Sequence, residues 1–155
     1  MLRSVSLFVC LLIALPFKGL GQKSGIENAI RSQHFTFRAL SVTPIHGTSR
    51  QLTAGDYTLK VTTDSLIAYL PYIGAQYNVP TPDEMIYGGY KFAVTNYSYT
   101  ATAGKHGSWE IIMSVSAQRD KQELTLNCSK SGWGELRITS AGKDPITYYG
   151  NVSPD

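Results

Sequence analysis

From Phe35 onward, apolar residues return at every second position, and that period constrains this chain more than any other feature. Phe35, Phe37 and Ala39 alternate with Thr36 and Arg38, and Tyr57, Leu59 and Val61 alternate with Thr58, Lys60 and Thr62. After the turn residues Thr63-Asp64-Ser65 comes Leu66-Ile67-Ala68-Tyr69-Leu70, apolar on both faces. The pattern resumes at Phe92 and Val94, then at Trp109, Ile111, Met113 and Val115. It continues through Leu124, Leu126 and Cys128, Gly134, Leu136 and Ile138, and finally Ile146, Tyr148 and Tyr149. Successive side chains of a strand point to opposite faces, so each run predicts a strand with one buried face.

The connections at Ala103 to Gly107, Arg119 to Gln122, Lys130 to Gly132 and Ala141 to Pro145 carry residues suited to tight turns. About eight strands joined this way, with no helical pattern between them, exclude βαβ units. They predict an all-β antiparallel meander, barrel-like in the manner of a lipocalin-like half or full barrel, with a β-sandwich as the alternative. Ahead of the strands, Ser24-Gly25-Ile26-Glu27 reads as a capping box. Ile26, Ala29 and Ile30 follow at helical spacing, predicting a helix of about two turns that ends near Gln33.

The first residues have a different character. Arg3 precedes an apolar run from Leu7 to Pro16, and small residues follow at Gly19 and Gly21. This order is that of a secretory signal peptide, and the run is too short to span a bilayer as a helix. The expected division is therefore a signal peptide over 1–21 and one β domain over 22–155, exported to the periplasm or beyond. Cleavage after Gly21 takes Arg3 and Lys18 with it, so 14 basic residues become 12 against 11 acidic ones and the net charge falls from +3 to +1. So even a balance gives no electrostatic footprint for nucleic acid. No membrane insertion is expected after cleavage. Cleavage also removes Cys10 and leaves Cys128 alone, alternating with Leu124 and Leu126. That placement predicts a buried, unreactive thiol.

Catalytic patterns are missing from the sequence. His34, His46 and His106 stand far apart, no second ligand lies at metal spacing, and no Gly-x-Ser-x-Gly occurs. Gly132-Trp133-Gly134 opens a strand and reads as a turn, and Asp83-Glu84 lies in a Pro-flanked loop. Neither a metal nor a cofactor is expected, and the chain is not expected to be an enzyme. The distinctive stretch is the long segment from Pro71 to Gly89, which holds Pro71, Pro80 and Pro82. Tyr72, Tyr77, Tyr87 and Tyr90 lie in or beside it. Tyrosine presents an apolar ring and a polar tip, which suits sugars and partner surfaces. These four are the candidate ligand-binding residues. Ser65, in Asp64-Ser65-Leu66 at the tip of an expected hairpin, is a candidate for O-glycosylation because an exposed turn is accessible to a transferase.

Phe35-Thr36-Phe37, Leu52 to Leu59 with Asp56-Tyr57, Leu70-Pro71-Tyr72-Ile73-Gly74 and the closing Ile146-Thr147-Tyr148-Tyr149-Gly150 together resemble the domain-of-unknown-function family 4251. That family consists of small exported proteins found mostly in Bacteroidetes. The resemblance implies a β-barrel-like meander and carries no activity. In that pattern a basic residue follows the motif glycine and another precedes the final strand; the corresponding neighbourhoods here read Ala75-Gln76 and Asp144-Pro145. The function expected is a non-enzymatic binding module of the periplasm or cell envelope, taking a small molecule, a glycan or a protein partner. A structural or assembly role in the envelope is the alternative, with a hydrolase behind it. The barrel interior, packed or hollow, separates these readings.

Overall fold

The computed structural model describes residues 21–53, 55–80, 82, 85 and 88–155, with side chains from Gly25 onward. The expected signal peptide falls outside these residues, apart from Gly21. A helix, α1 (Gly21–Ser32), leads into ten strands. These are β1 (Phe35–Pro44), β2 (Arg50–Gln51), β3 (Thr58–Val61), β4 (Leu66–Leu70) and β5 (Tyr90–Val94), then β6 (Tyr97–Ala103), β7 (Trp109–Ala117), β8 (Asp120–Cys128), β9 (Trp133–Ser140) and β10 (Ile146–Pro154).

Nine strands follow one antiparallel path, β5-β4-β3-β1-β10-β9-β8-β7-β6, while the two-residue β2 shares an edge of β1 with β3. The path bends into a nearly closed barrel. Its two ends, β5 and β6, are joined by Thr95-Asn96 and do not pair with each other. All eight expected strands are present, and β2 and β6 are added. In β6, Tyr97, Tyr99 and Ala101 alternate with exposed Ser98, Thr100 and Thr102, but the inward set is only half-buried. A terminal strand contributes so little to the core that its apolar period stays weak.

Large apolar side chains of the described residues project into the barrel. Phe35, Phe37, Leu59, Leu66, Ile111, Met113, Leu124, Leu126, Leu136, Ile138 and Tyr148 point inward and are fully buried. Large side chains meet small ones where the wall is crowded. A Cβ on Gly134 would stand 3.2 Å from the ring of Phe37, and one on Gly150 would collide with the carbonyl of Arg38, beside the register shift between Ala39 and Ser41. Glycine at 150 is thus what lets β1 approach β10 at the bulge.

The β7–β8 hairpin is tighter than its sequence suggests. Ala117 pairs with Asp120, so the turn is only Gln118-Arg119, both with positive φ (52° and 61°). Two residues of this kind make a turn whose twist matches the flanking strands. Nine paired positions outweigh the cost of left-handed backbone at non-glycine residues.

The helix is also longer than expected. It starts at Gly21, three residues before the capping box, so Ser24 lies inside its first turns rather than capping it. Nothing in Gly21-Gln22-Lys23 interrupts the helix, since it holds neither proline nor a β-branched residue. Its end follows the Schellman pattern: Gln33 has φ 55°, its N–H bonds the Ile30 carbonyl at 3.2 Å, and the His34 N–H bonds that of Ala29 at 2.9 Å. Ile26, Ala29 and Ile30 are buried against the barrel end formed by the start of β1 and the end of β10. The Tyr99 hydroxyl donates to the Ile30 carbonyl at 2.8 Å, tying the helix to the end of the path, and that of Tyr97 donates to the Thr62 carbonyl at 2.5 Å, tying the same strand to the β3–β4 turn.

Candidate functional site

The opposite end of the barrel is covered by residues 71–80, and its geometry follows from the connection between β9 and β10. Gln76 bridges Lys143 in antiparallel register. Around it the Tyr77 N–H bonds the Gly142 carbonyl at 2.8 Å and the Asp144 N–H bonds that of Ala75 at 3.0 Å. The segment is a strap held by backbone hydrogen bonds. Asp120 accepts from the Gly142 N–H at 2.8 Å, so the β7–β8 hairpin supports the same corner. Just before β5, Gly89 has φ 77°, and a Cβ there would stand 2.2 Å from the Leu70 carbonyl oxygen. Only glycine fits where the chain re-enters the sheet.

The candidate tyrosines separate into distinct roles. Tyr72 is half-buried; its hydroxyl donates to the Ala75 carbonyl at 2.6 Å and lies 3.2 Å from that of Asp144, and its ring meets Tyr90 edge-on at 5.8 Å. Tyr90 is fully buried, so no outside ligand reaches its ring directly. The reason is its register: paired with Leu70 at the start of β5, it takes an inward position. Tyr77 is 70% exposed, and its hydroxyl donates to Asp144 at 2.7 Å. Tyr87 lies outside the described residues. Ser65 stands at the β3–β4 hairpin tip as expected, half-buried, with its hydroxyl 2.9 Å from that of Thr62.

Under the strap lies Lys143, 4% exposed, its ammonium 4.6 Å from the Tyr90 ring centre and 5.4 Å from that of Tyr72. A lysine that deep is held by its surroundings, and the electron-rich ring faces supply part of that hold. It is the basic side chain ahead of the last strand, one position before the Asp144-Pro145 pair read in the sequence. Its burial was illegible because a lysine in a turn ordinarily faces water.

Burial raises the phenol of Tyr72, partly opposed by its hydrogen bond with the Asp144 backbone, and the nearby Asp144 charge adds to the rise. Tyr77 is raised chiefly by its hydrogen bond to the Asp144 carboxylate. Tyr148, whose hydroxyl donates to the Pro71 carbonyl at 2.7 Å, is raised well above its ordinary value, first by burial and then by Tyr90 and Tyr72. These groups stay neutral and act as hydrogen-bond donors. No group of three or more His, Cys, Asp or Glu side chains among the described residues is placed to hold a metal ion. What the strap turns outward is apolar, Tyr77 and Val79 (80% exposed), and Met85 further along the chain is also exposed (75%).

A family model described as a domain of unknown function (DUF4251) matches residues 21–152. The fold is similar to the crystal structure of a DUF4251 family protein from Bacteroides eggerthii, with a TM-score of 0.62 over 86% of this chain and 87% of that one. The two are 16% identical, a level at which the likeness concerns the fold alone. Comparison with curated proteins finds no match.

Proposed function

The chain belongs to the DUF4251 family, and we propose that it works as an exported, non-enzymatic interaction module whose partner is a protein of the cell envelope. The observation that carries this reading is the strap. It exposes two large apolar side chains, Tyr77 and Val79, on or beside backbone pinned to the β9–β10 connection, and Met85 further along the chain is exposed as well. Preorganised apolar groups lose little entropy on docking, and rigid aromatic anchors dominate protein interfaces. Among the described residues the side chains that point into the barrel are large and fully buried, which favours a partner met at the surface over a small ligand held inside. Supporting export are the order of Arg3, the apolar run and Gly19-Leu20-Gly21.

Two measurements test the proposal. The intact mass of protein from its native host should begin at Gln22; a species that keeps Met1 to Gly21 argues against export. A photo-crosslinker at Val79 should capture one envelope protein in living cells, while the same group at Thr125 on β8 captures none. Capture should vanish when Tyr77 and Met85 are both replaced by Ser. Equal capture from both positions, or capture that survives the double replacement, overturns the assignment.

A further inference from the structure

We infer that the outer face of β7–β10 carries a second site, for a neutral saccharide, centred on Trp133. The register places Glu110 opposite Asn127, Asn127 opposite Glu135, and Glu135 opposite Tyr149, so four polar side chains form one row across four strands. They alternate with the buried Ile111, Leu126, Leu136 and Tyr148 and therefore face outward. Trp133, two residues before Glu135 on the same face of β9, stands beside the row and is 50% exposed. Together they line a shallow groove of about 350 Å³.

Trp133 is held in place through its backbone. Its carbonyl accepts from the Ser129 N–H at 2.8 Å, and the preceding Gly132, with φ 90°, accepts from the Val152 N–H at 2.7 Å. A Cβ at 132 would stand 2.8 Å from the Val152 oxygen, so the turn that aims the indole depends on glycine. The polar ends of the row, by contrast, are uncommitted. Glu110, Asn127, Glu135 and Tyr149 make no side-chain hydrogen bond or ion pair with any described residue.

The chemistry of this set selects the ligand. An exposed indole stacks against the apolar face of a sugar ring. Two carboxylates accept from hydroxyls, and the Asn127 amide and Tyr149 hydroxyl both donate and accept. The two glutamates lie roughly 10 Å apart at the backbone, twice the spacing of adjacent strands, a span that one or two sugar units cover. No cation pairs with either glutamate among the described residues, which disfavours phosphorylated, sulfated or uronic ligands. A flat, open groove suits a chain lying along the surface.

Native affinity electrophoresis in gels containing hydroxyethylcellulose, xyloglucan, galactomannan or a soluble β-1,3-glucan tests the inference, with carboxymethylcellulose as the anionic comparator. The full mature protein should be retarded by at least one neutral polymer and not by the anionic one. Trp133→Ala should weaken retardation by about tenfold or more, as loss of an aromatic anchor does, while Trp133→Tyr retains most of it. Glu135→Gln should weaken it about threefold or more, with an unchanged far-ultraviolet spectrum, because a charge-assisted acceptor is lost. Tyr77→Ala should leave retardation by the polymer as it is, which keeps this site distinguishable from the strap. No retardation in any neutral gel, or equal retardation of Trp133→Ala, overturns the assignment.

Discussion

The two ends of the barrel are closed by opposite means. At one end α1 inserts Ile26, Ala29 and Ile30 into the core, and its contact is mostly apolar. At the other the strap lies across the opening on hydrogen bonds, its deep layer a lysine and three tyrosines. A hydrophobic plug takes its strength from area removed from water and tolerates little change in volume. A hydrogen-bonded strap gains less per contact, since each bond replaces one to water. It can, however, present its outer side chains without drawing on the core. The difference places the apolar plug at the helix end and the proposed recognition surface at the strap end, and each prediction below sets one end against the other.

Alkaline pH acts on both ends and should have the largest effect. Burial raises the phenols of Tyr97 and Tyr99 near the helix and of Tyr72 and Tyr148 under the strap. A group whose folded pKa exceeds its unfolded value stabilises the fold fully below the unfolded value, and that contribution is lost as pH rises further. Stability should therefore be insensitive to these groups up to about pH 10, the ordinary phenol value, and fall above it. Phenolate absorbance should show the exposed tyrosines titrating first and the buried ones appearing only with unfolding. A smooth titration of all ten tyrosines with the circular dichroism intact would refute the packing of both ends.

At the helix end, Ile30→Ala removes a fully buried side chain and should cost about 2–5 kcal/mol, measured by chemical denaturation. A cost below that of the strap substitutions would reverse the comparison. Cys128 tests the same end more gently. The thiol is buried and burial pushes its pKa up to about 11, so a thiol reagent at neutral pH should modify it only as fast as the protein unfolds. Cys128→Ser should cost about 1–3 kcal/mol by placing a hydroxyl in an apolar site. Rapid labelling of the native protein would show that the helix opens the barrel.

How much of this was legible follows the same division. The helix end can be read from the sequence because its contacts are apolar and periodic: Ile26, Ala29, Ile30, Phe35 and Cys128 all take the positions that their spacing predicts. The strap end cannot, because backbone hydrogen bonds leave no residue signature. Gln76 against Lys143 pairs positions far apart in the sequence with no shared pattern, and Lys143 lies buried where a turn lysine ordinarily does not. Four tyrosines near one another in sequence read as one platform. Yet register sends Tyr90 inward, the strap fold half-buries Tyr72, and only Tyr77 is left largely exposed among those described. The Trp133 row was illegible for a related reason, since Glu110, Asn127, Glu135 and Tyr149 become neighbours only once the register of four strands is known.

The smallest effects come from the strap's two described tyrosines, and they should differ from each other. Tyr72→Phe removes a hydroxyl that bonds the Ala75 carbonyl and reaches toward that of Asp144. Its loss should cost about 1 kcal/mol and speed hydrogen exchange at the Tyr77 and Asp144 amides, which hold the strap down. Tyr77→Phe removes only a solvent-exposed bond to the Asp144 carboxylate and should leave stability nearly unchanged. The ring that would meet a partner is kept, so capture through Val79 should persist in Tyr77→Phe and weaken in Tyr77→Ala. If Tyr77→Phe instead destabilises as much as Tyr72→Phe, the Asp144 contact anchors the strap. The outward face of Tyr77 would then belong to the closure of the barrel rather than to recognition.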